Sequence, residues 1–200
     1  STWYKNIYYN IFSKHVQSTI FSGYFLIFHK YTYIDMHRGA KIIVKGCVKL
    51  GNKVTEKDKS QSIFLIRKNG LIKFEGNYTF GAGTNVQVFE NAEFIVGGGG
   101  DTNIGVEIVC GKKIQSEDNV FLGRNVIVRD TNGEHYLSRQ GYKTSRAVIL
   151  GNHAWLCDRC TIMPGVHVYP GGIVGAGAFV TADVPAFSIV SGNPAQVVDE

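Results

Sequence analysis

The chain has 200 residues, 44% of them hydrophobic and 18% charged, with 24 glycines, 4 prolines and a formal net charge of +5. That balance excludes a disordered chain and a membrane bundle, and the length suits one domain with a sizeable core. Lysines and arginines are scattered without a stripe or a nucleic-acid motif, so the charge reads as solubility with some attraction for anionic partners, and no nucleic-acid partner is expected.

Segment 1–34 is dense in aromatics, with Trp3, Tyr4, Tyr8, Tyr9 and Phe12 among them, and its only formal charges are Lys5, Lys14 and Lys30. It reads as a short helix or hairpin, part of a cap at 1–38 that closes the end of the repeat structure that follows. Tyr, Trp and Lys also favour an anionic membrane interface, so a weak peripheral membrane contact through residues 1–34 is a second expectation for this segment. No apolar run is long enough to span a bilayer, and no signal-peptide pattern is seen. With cysteines at 47, 110, 157 and 160, a cytoplasmic compartment with reduced thiols is expected, with docking at the inner membrane face as its variant.

From about Gly39, apolar and polar residues alternate in Ile42-Ile43-Val44, Leu71-Ile72-Lys73-Phe74 and Ala92-Glu93-Phe94-Ile95-Val96. Gly97 to Gly100 lacks a phosphate-loop pattern and reads as a turn or bulge. A period of six then emerges at Ile104, Cys110, Ser116, Leu122 and Val128, with Ser116 out of character. The residues four places after the first four members are Ile108, Ile114, Val120 and Val126, all apolar. The period is strict at Leu150, Leu156, Ile162, Val168, Val174 and Val180, with small or apolar companions at Ala154, Cys160, Val166, Gly172 and Ala178. Neither a 3.6-residue helix nor a two-residue strand alternation produces this. A short strand and a tight turn per hexad does, and three such faces close one coil of a parallel β-helix. The two hexad runs are out of phase, so a polar insertion must leave the helix at about 130–147. The expected layout is therefore all-β: a cap at 1–38, a β-helix at 39–190 with that one long loop, and a tail at 191–200.

The stretches Leu150-Gly-Asn-His-Ala-Trp-Leu-Cys-Asp-Arg-Cys-Thr-Ile-Met-Pro-Gly165, Val174-Gly-Ala-Gly-Ala-Phe-Val-Thr-Ala-Asp-Val-Pro185 and Ile189-Val-Ser-Gly-Asn-Pro-Ala-Gln-Val197 resemble the hexapeptide-repeat acyltransferases. The likeness is nearest to the capsule and O-antigen sugar O-acetyltransferases, with galactoside and maltose acetyltransferases as relatives. The resemblance implies a left-handed β-helix, a homotrimer with active sites in clefts between subunits, acetyl-CoA as donor and a glycan acceptor. It implies His135, in the insertion, as the catalytic base. Relatives often carry the histidine one residue nearer the preceding Asp, so Glu134 and His135 stand as alternatives for that place. The resemblance also implies donor contacts at Trp155, Gly175, Ala176, Thr181 and Asn193. Two positions depart from it: Ala182 and Gln196 stand where relatives often have basic residues for the nucleotide end of CoA.

The residues support that chemistry on their own terms. A sugar hydroxyl needs a base, and histidine titrates near neutral pH. Asp130, Glu134 or a backbone carbonyl would fix its tautomer. His153 and His167 read first as outward or exposed residues, and Trp155 equally as trimer packing. Gly175, Ala176 and Thr181 are equally what tight turns require. Cys157-Asp-Arg-Cys160 looks like a metal or redox motif, yet the register makes both cysteines small packing residues, and no metal is expected. Transfer to an amino-sugar nitrogen, a non-enzymatic β-helix binding or scaffold protein, and a zinc-dependent carbonic anhydrase on the same scaffold are the competing readings. The last lacks the close histidine pair it would need.

Overall fold

The computed structural model of the chain describes residues 2–133 and 144–199. Its strands stack in parallel into three faces of seven, nine and seven strands. The first face runs from Val16–Gln17 to His167–Val168, the second from Phe25–Phe28 to Ala195–Asp199, and the third from Thr32–Met36 to Phe179–Val180. The chain visits the faces in rotation, so each strand bonds to the strand one coil away: Ile42 lies beside Ile72, Ile72 beside Phe94, and Phe94 beside Ile114. Among the described strands only the last, Ala195–Asp199, folds back antiparallel, on Ile189–Gly192.

Coil length explains why the hexad period is sharp late and blurred early. In the upper coils Ile149 sits beside His167, Trp155 beside Ile173 and Thr161 beside Phe179, each partner three hexads further along the chain. In the lower coils the steps from Ile72 to Phe94 and from Phe94 to Ile114 are both longer than three hexads. The longer faces shift the phase wherever they occur. They also widen the prism. Phe64, Phe74 and Phe80 pack inside it, with Phe80 edge-on to both others. The narrower upper prism takes pairs such as Ala154 with Leu156 and Cys160 with Ile162.

The second repeat run needs one correction. Cys110, Ser116, Leu122 and Val128 point inward as expected, but Ile104 does not; Thr102 and Ile108 occupy the inner ladder, beside Leu122 and Val128. The third face is longer in that coil, so the phase slips after Ile108.

Tight corners account for the glycines and asparagines. Gly99, Asn119, His153, Gly171 and Phe187 succeed one another between the first and second faces, with φ from +57° to +75°. Gly and Asn tolerate this left-handed conformation most readily. Gly97–Gly100 falls at this corner, and a Cβ on Gly100 would collide with the carbonyl oxygen of Val120.

Parallel stacking begins at Val16, upstream of the expected start at 39: Val16 pairs with Ile42, Phe25 with Cys47 and Thr32 with Ser62. In that first coil Leu26 and Phe28 point inward, but Phe25 and Ile27 on the outer side are also apolar, which hides the alternation. The cap proper is the helix Thr2–Ile7, continued by a wider helical turn at Tyr8–Phe12. Asn6 and Asn10, one turn apart, present their amides to the open edge of Phe25–Phe28. The N–H of Phe28 donates to Asn6 Oδ1 and that of Leu26 to Asn10 Oδ1, both at 2.7 Å, while Asn10 Nδ2 donates to the Leu26 carbonyl at 2.8 Å. The edge that would template a further strand is thereby closed. A second excursion, which sequence reasoning does not single out, occupies residues 53–61 between Cys47–Asn52 and Ser62–Ile66.

Candidate active site

The long insertion leaves at the corner between the third and first faces, and its base is zipped shut. Thr131 and Ser145 form an antiparallel bridge. The N–H of Asn132 donates to Thr144 O at 3.0 Å, that of Arg146 to Asp130 O at 2.8 Å, and Ser145 Oγ donates to Thr131 Oγ1 at 2.9 Å. The stem packs so closely on the coil below that a Cβ at Gly111 would lie 2.6 Å from Thr131, which fixes glycine there. Glu134 and His135 follow the stem and lie outside the described residues.

Asp130 faces inward beneath this stem and is fully buried. Its carboxylate accepts three backbone N–H groups, from Gly111 at 2.5 Å, Lys112 at 2.8 Å and Lys113 at 2.5 Å. Burial raises its pKa above the ordinary aspartate value, and the three N–H donors oppose part of that rise. The observed partners of Asp130 are thus the backbone of the neighbouring coil, which it ties to the root of the loop.

The donor-side candidates fall at two other places. Trp155 projects from the second face, 51% exposed, between Phe121, 40% exposed, and Ile173. Phe121 belongs with it in an outward apolar ladder; pairing across coils, which sequence order hides, reveals it. Gly175, Ala176 and Gly177 turn the corner between the second and third faces. Gly177 has φ +69° with nothing within 4 Å of a Cβ, so backbone conformation rather than crowding selects glycine, and the neighbouring Ala176 is exposed. Asn193 follows the strand Ile189–Gly192, whose Ser191 side chain lies 3.0 Å from the Cβ position of Gly175. Gly175, Ala176 and Asn193 therefore share one end of the molecule.

Thr181 is exposed at the same corner as Asp130. The strands Ile127–Arg129, Thr161–Ile162 and Phe179–Val180 are successive neighbours, and Asp130, Met163 and Thr181 follow them. Two coil steps of about 4.8 Å separate Asp130 from Thr181. The chain thus divides the candidates between two corners with the third face between them.

The remaining candidates take structural places. His153 sits exposed in the left-handed corner series at φ +59°, its N–H donating to Asp118 O at 3.0 Å. The His167 ring stacks on Tyr169 at 3.8 Å. Cys160 is fully buried on the inner ladder, and burial first, then Cys157 and Asp158, pushes its thiol up to about 12. Cys157 is partly exposed beside it. Among the described residues no group of three or more His, Cys, Asp or Glu side chains is placed to hold a metal.

No protein-family model matches the chain. It is 28% identical over 123 residues to the galactoside O-acetyltransferase of Escherichia coli K12, a match covering 60% of this chain and 57% of that enzyme. It is 24% identical over 144 residues to WbbJ of the same strain, a protein assigned as an O-acetyl transferase of lipopolysaccharide biosynthesis, covering 66% of this chain and 74% of WbbJ. The crystal structure of the polySia-specific acetyltransferase NeuO superposes with a TM-score of 0.58 at 20% identity, covering 86% of this chain and 81% of NeuO. In sequence the chain is similar to sugar O-acetyltransferases, and its fold is a left-handed parallel β-helix.

Proposed function

We propose that the protein is an acetyl-CoA-dependent O-acetyltransferase whose acceptor is a sugar hydroxyl of a capsular or O-antigen type glycan or its precursor. The observation that carries this reading is the stem at Thr131 and Ser145, a hydrogen-bonded corner of the β-helix after which the sequence continues into the segment carrying His135. The relatives supply the class of chemistry: one is a galactoside O-acetyltransferase and another is assigned to lipopolysaccharide O-acetylation.

In this reading the donor brings an activated acetyl group as a thioester. His135 takes the proton of the acceptor hydroxyl as its oxygen attacks the thioester carbonyl, and returns that proton to the departing thiolate. Backbone N–H groups at a coil edge suit the oxyanion formed between. The open, small-residue corner at Gly175–Gly177 suits close approach of an extended pantetheine chain, and the Phe121–Trp155–Ile173 ladder offers it an apolar wall. Other residues than Ala182 and Gln196 must hold the nucleotide end.

The division of candidates between two corners supports a homotrimer. Threefold packing sets one corner of a protomer against a different corner of the next. The donor corner of one subunit would then meet the loop corner of its neighbour and complete the site. Sedimentation equilibrium is expected to give a trimer, and a monomer at micromolar concentration would overturn this arrangement.

No helix among the described residues is long and apolar enough to cross a membrane. With its four cysteines free, a cytoplasmic location with reduced thiols fits this reading. The outward side chains of Trp3, Tyr4, Phe12 and Phe21 support a peripheral contact of the cap with the inner membrane face. Flotation with anionic vesicles, lost on raising salt, is the expected result; protein that stays soluble at low salt refutes the contact. Acetyl-CoA turnover across capsule-type glycans and amino sugars, with NMR of the products, tests the activity. O-acetyl products support it, and exclusively N-acetyl products refute it.

A further inference from the structure

At the cap end of the β-helix lies a cleft of about 860 Å³ that the transfer chemistry above does not use. Three separate elements build it, and each brings lysine. Lys5 comes from the cap helix, Lys30 from the first turn between the second and third faces, and Lys53 and Lys59 from the excursion at residues 53–61. The only acid in its lining is Glu56. Asp58 also lies on the excursion and feels Lys53, but its carboxylate is turned to the N–H of Ser60 at 2.8 Å. Among the described residues, none of the four lysines makes an ion pair; Lys5 Nζ donates to the Thr32 carbonyl at 2.8 Å.

The β-helix itself does not require this construction. The inner ladder passes this corner in six residues from Phe28 to Ile34 and from Phe80 to Val86, but takes more than twice as many from Leu50 to Phe64. The added segment forms a basic wall opposite Tyr31. That residue is held at φ +68°, a conformation L side chains avoid, and its ring receives Lys30 at 5.2 Å and Lys53 at 4.9 Å. Tyr33 stands beside it, with Lys5 over its ring at 4.7 Å. Ammonium groups without a carboxylate partner, gathered around tyrosine rings, suit a ligand with oxyanions on an otherwise uncharged, ring-bearing frame. His29, in the same lining, has its pKa lowered chiefly by burial; Lys49 and Lys53 lower it further and Glu56 opposes them.

We propose that this cleft is a subsite for an anionic sugar chain, whose carboxylates or phosphates meet Lys30, Lys53 and Lys59 while its rings lie against Tyr31 and Tyr33. The subsite is remote from the loop stem: four coil steps along the third face, roughly 19 Å, separate Thr32–Met36 from Ile127–Arg129. A polymer spans that distance and a monosaccharide does not. The subsite would therefore grip repeat units away from the one being acetylated. The identity of the occupant rests on the sugar-transferase reading, so the deciding measurement is of binding without acetyl donor.

Titration calorimetry at low salt with hexagalacturonate, poly(ribitol phosphate) and maltohexaose separates carboxylate, phosphate and neutral chains. Binding of at least one acidic chain is expected, with none for maltohexaose, and the tighter of the two acidic chains names the oxyanion. The combined Lys30→Gln, Lys53→Gln and Lys59→Gln variant should weaken binding at least tenfold, and arginine at all three positions should restore it. His29 ring protons should titrate at higher pH when the cleft is filled, which a merely structural lysine cluster would not produce. The inference is overturned by absence of acidic-chain binding, by equal binding of maltohexaose, by acidic-chain binding that the glutamine variant leaves unchanged, or by capture on anionic vesicles alone. Binding as expected in a protein that transfers no acetyl group would leave the subsite standing and refute only the catalytic reading.

Discussion

Asn10 is the residue on which the cap turns, and replacing it with alanine gives a sharp test of how the open end is closed. Its side chain accepts from Leu26 N–H at 2.7 Å and donates to Leu26 O at 2.8 Å and to Asn6 O at 2.7 Å. Leu26 itself is 1% exposed, so its backbone groups have little access to water once the amide is gone. An orphaned buried donor costs about 1–3 kcal/mol. With the donor and acceptor of Leu26 both affected and some water entering, Asn10→Ala is expected to destabilise by about 2–3 kcal/mol. Asn6→Ala removes the single bond to Phe28 N–H and should cost about 1 kcal/mol. At a urea m-value of about 2 kcal/mol/M, the Asn10 change lowers the midpoint by roughly 1 M. The loosened cap also bares a parallel strand edge, so the variant should form larger species in size-exclusion chromatography as concentration rises. A midpoint shift below about 0.3 M with unchanged elution would show that the Asn–edge pairing does not hold the cap. Aromatic contacts such as Tyr9 on Phe28, at 4.9 Å, would then be what holds it.

Further expectations follow from the site and the core. His135→Ala should lower kcat roughly 100-fold while the circular dichroism spectrum is kept; near-normal turnover would move the base elsewhere. Burial lifts the pKa of Asp130, so its contribution to stability is full below the ordinary aspartate value and is lost as pH rises through the lifted one. The stability of wild type relative to Asp130→Asn should therefore fall between acid and neutral pH in urea titrations. A change in the opposite sense would mean that the three backbone donors outweigh burial. Ser116 is 5% exposed between Val96 and Leu150, and among the described residues its Oγ has no hydrogen-bond partner. Ser116→Ala should remove about 1 kcal/mol of desolvation cost and raise Tm by about 2–4 °C, and a lower Tm in calorimetry would refute that account.

The upper β-helix is legible because each of its coils is three hexads long: Leu150 to Val180 repeats at a strict period only where every face has the same length. The break in phase between Val128 and Leu150, together with the polar sequence between them, marks the insertion. Sequence also singles out Asp130 and the small-residue corner at Gly175–Gly177. It cannot show what Asp130 does, because its partners at Gly111, Lys112 and Lys113 come from the preceding coil and are close only through stacking.

The first coil escapes notice because its outward positions, Phe25 and Ile27, are as apolar as its inward ones, so no alternation survives to be read. The excursion at residues 53–61 is hidden within a stretch where coil length already varies. Local order in the sequence thus determines the repeat, the faces and the insertion that bears His135. Only the tertiary structure decides which residues from distant coils meet: Asn10 with Leu26 at the cap, Phe121 with Trp155 on the second face, and Lys5, Lys30, Lys53 and Lys59 around one cleft. The physical reason is that a β-helix makes neighbours of residues a whole coil apart in sequence, and a small change in the length of any face resets which ones they are.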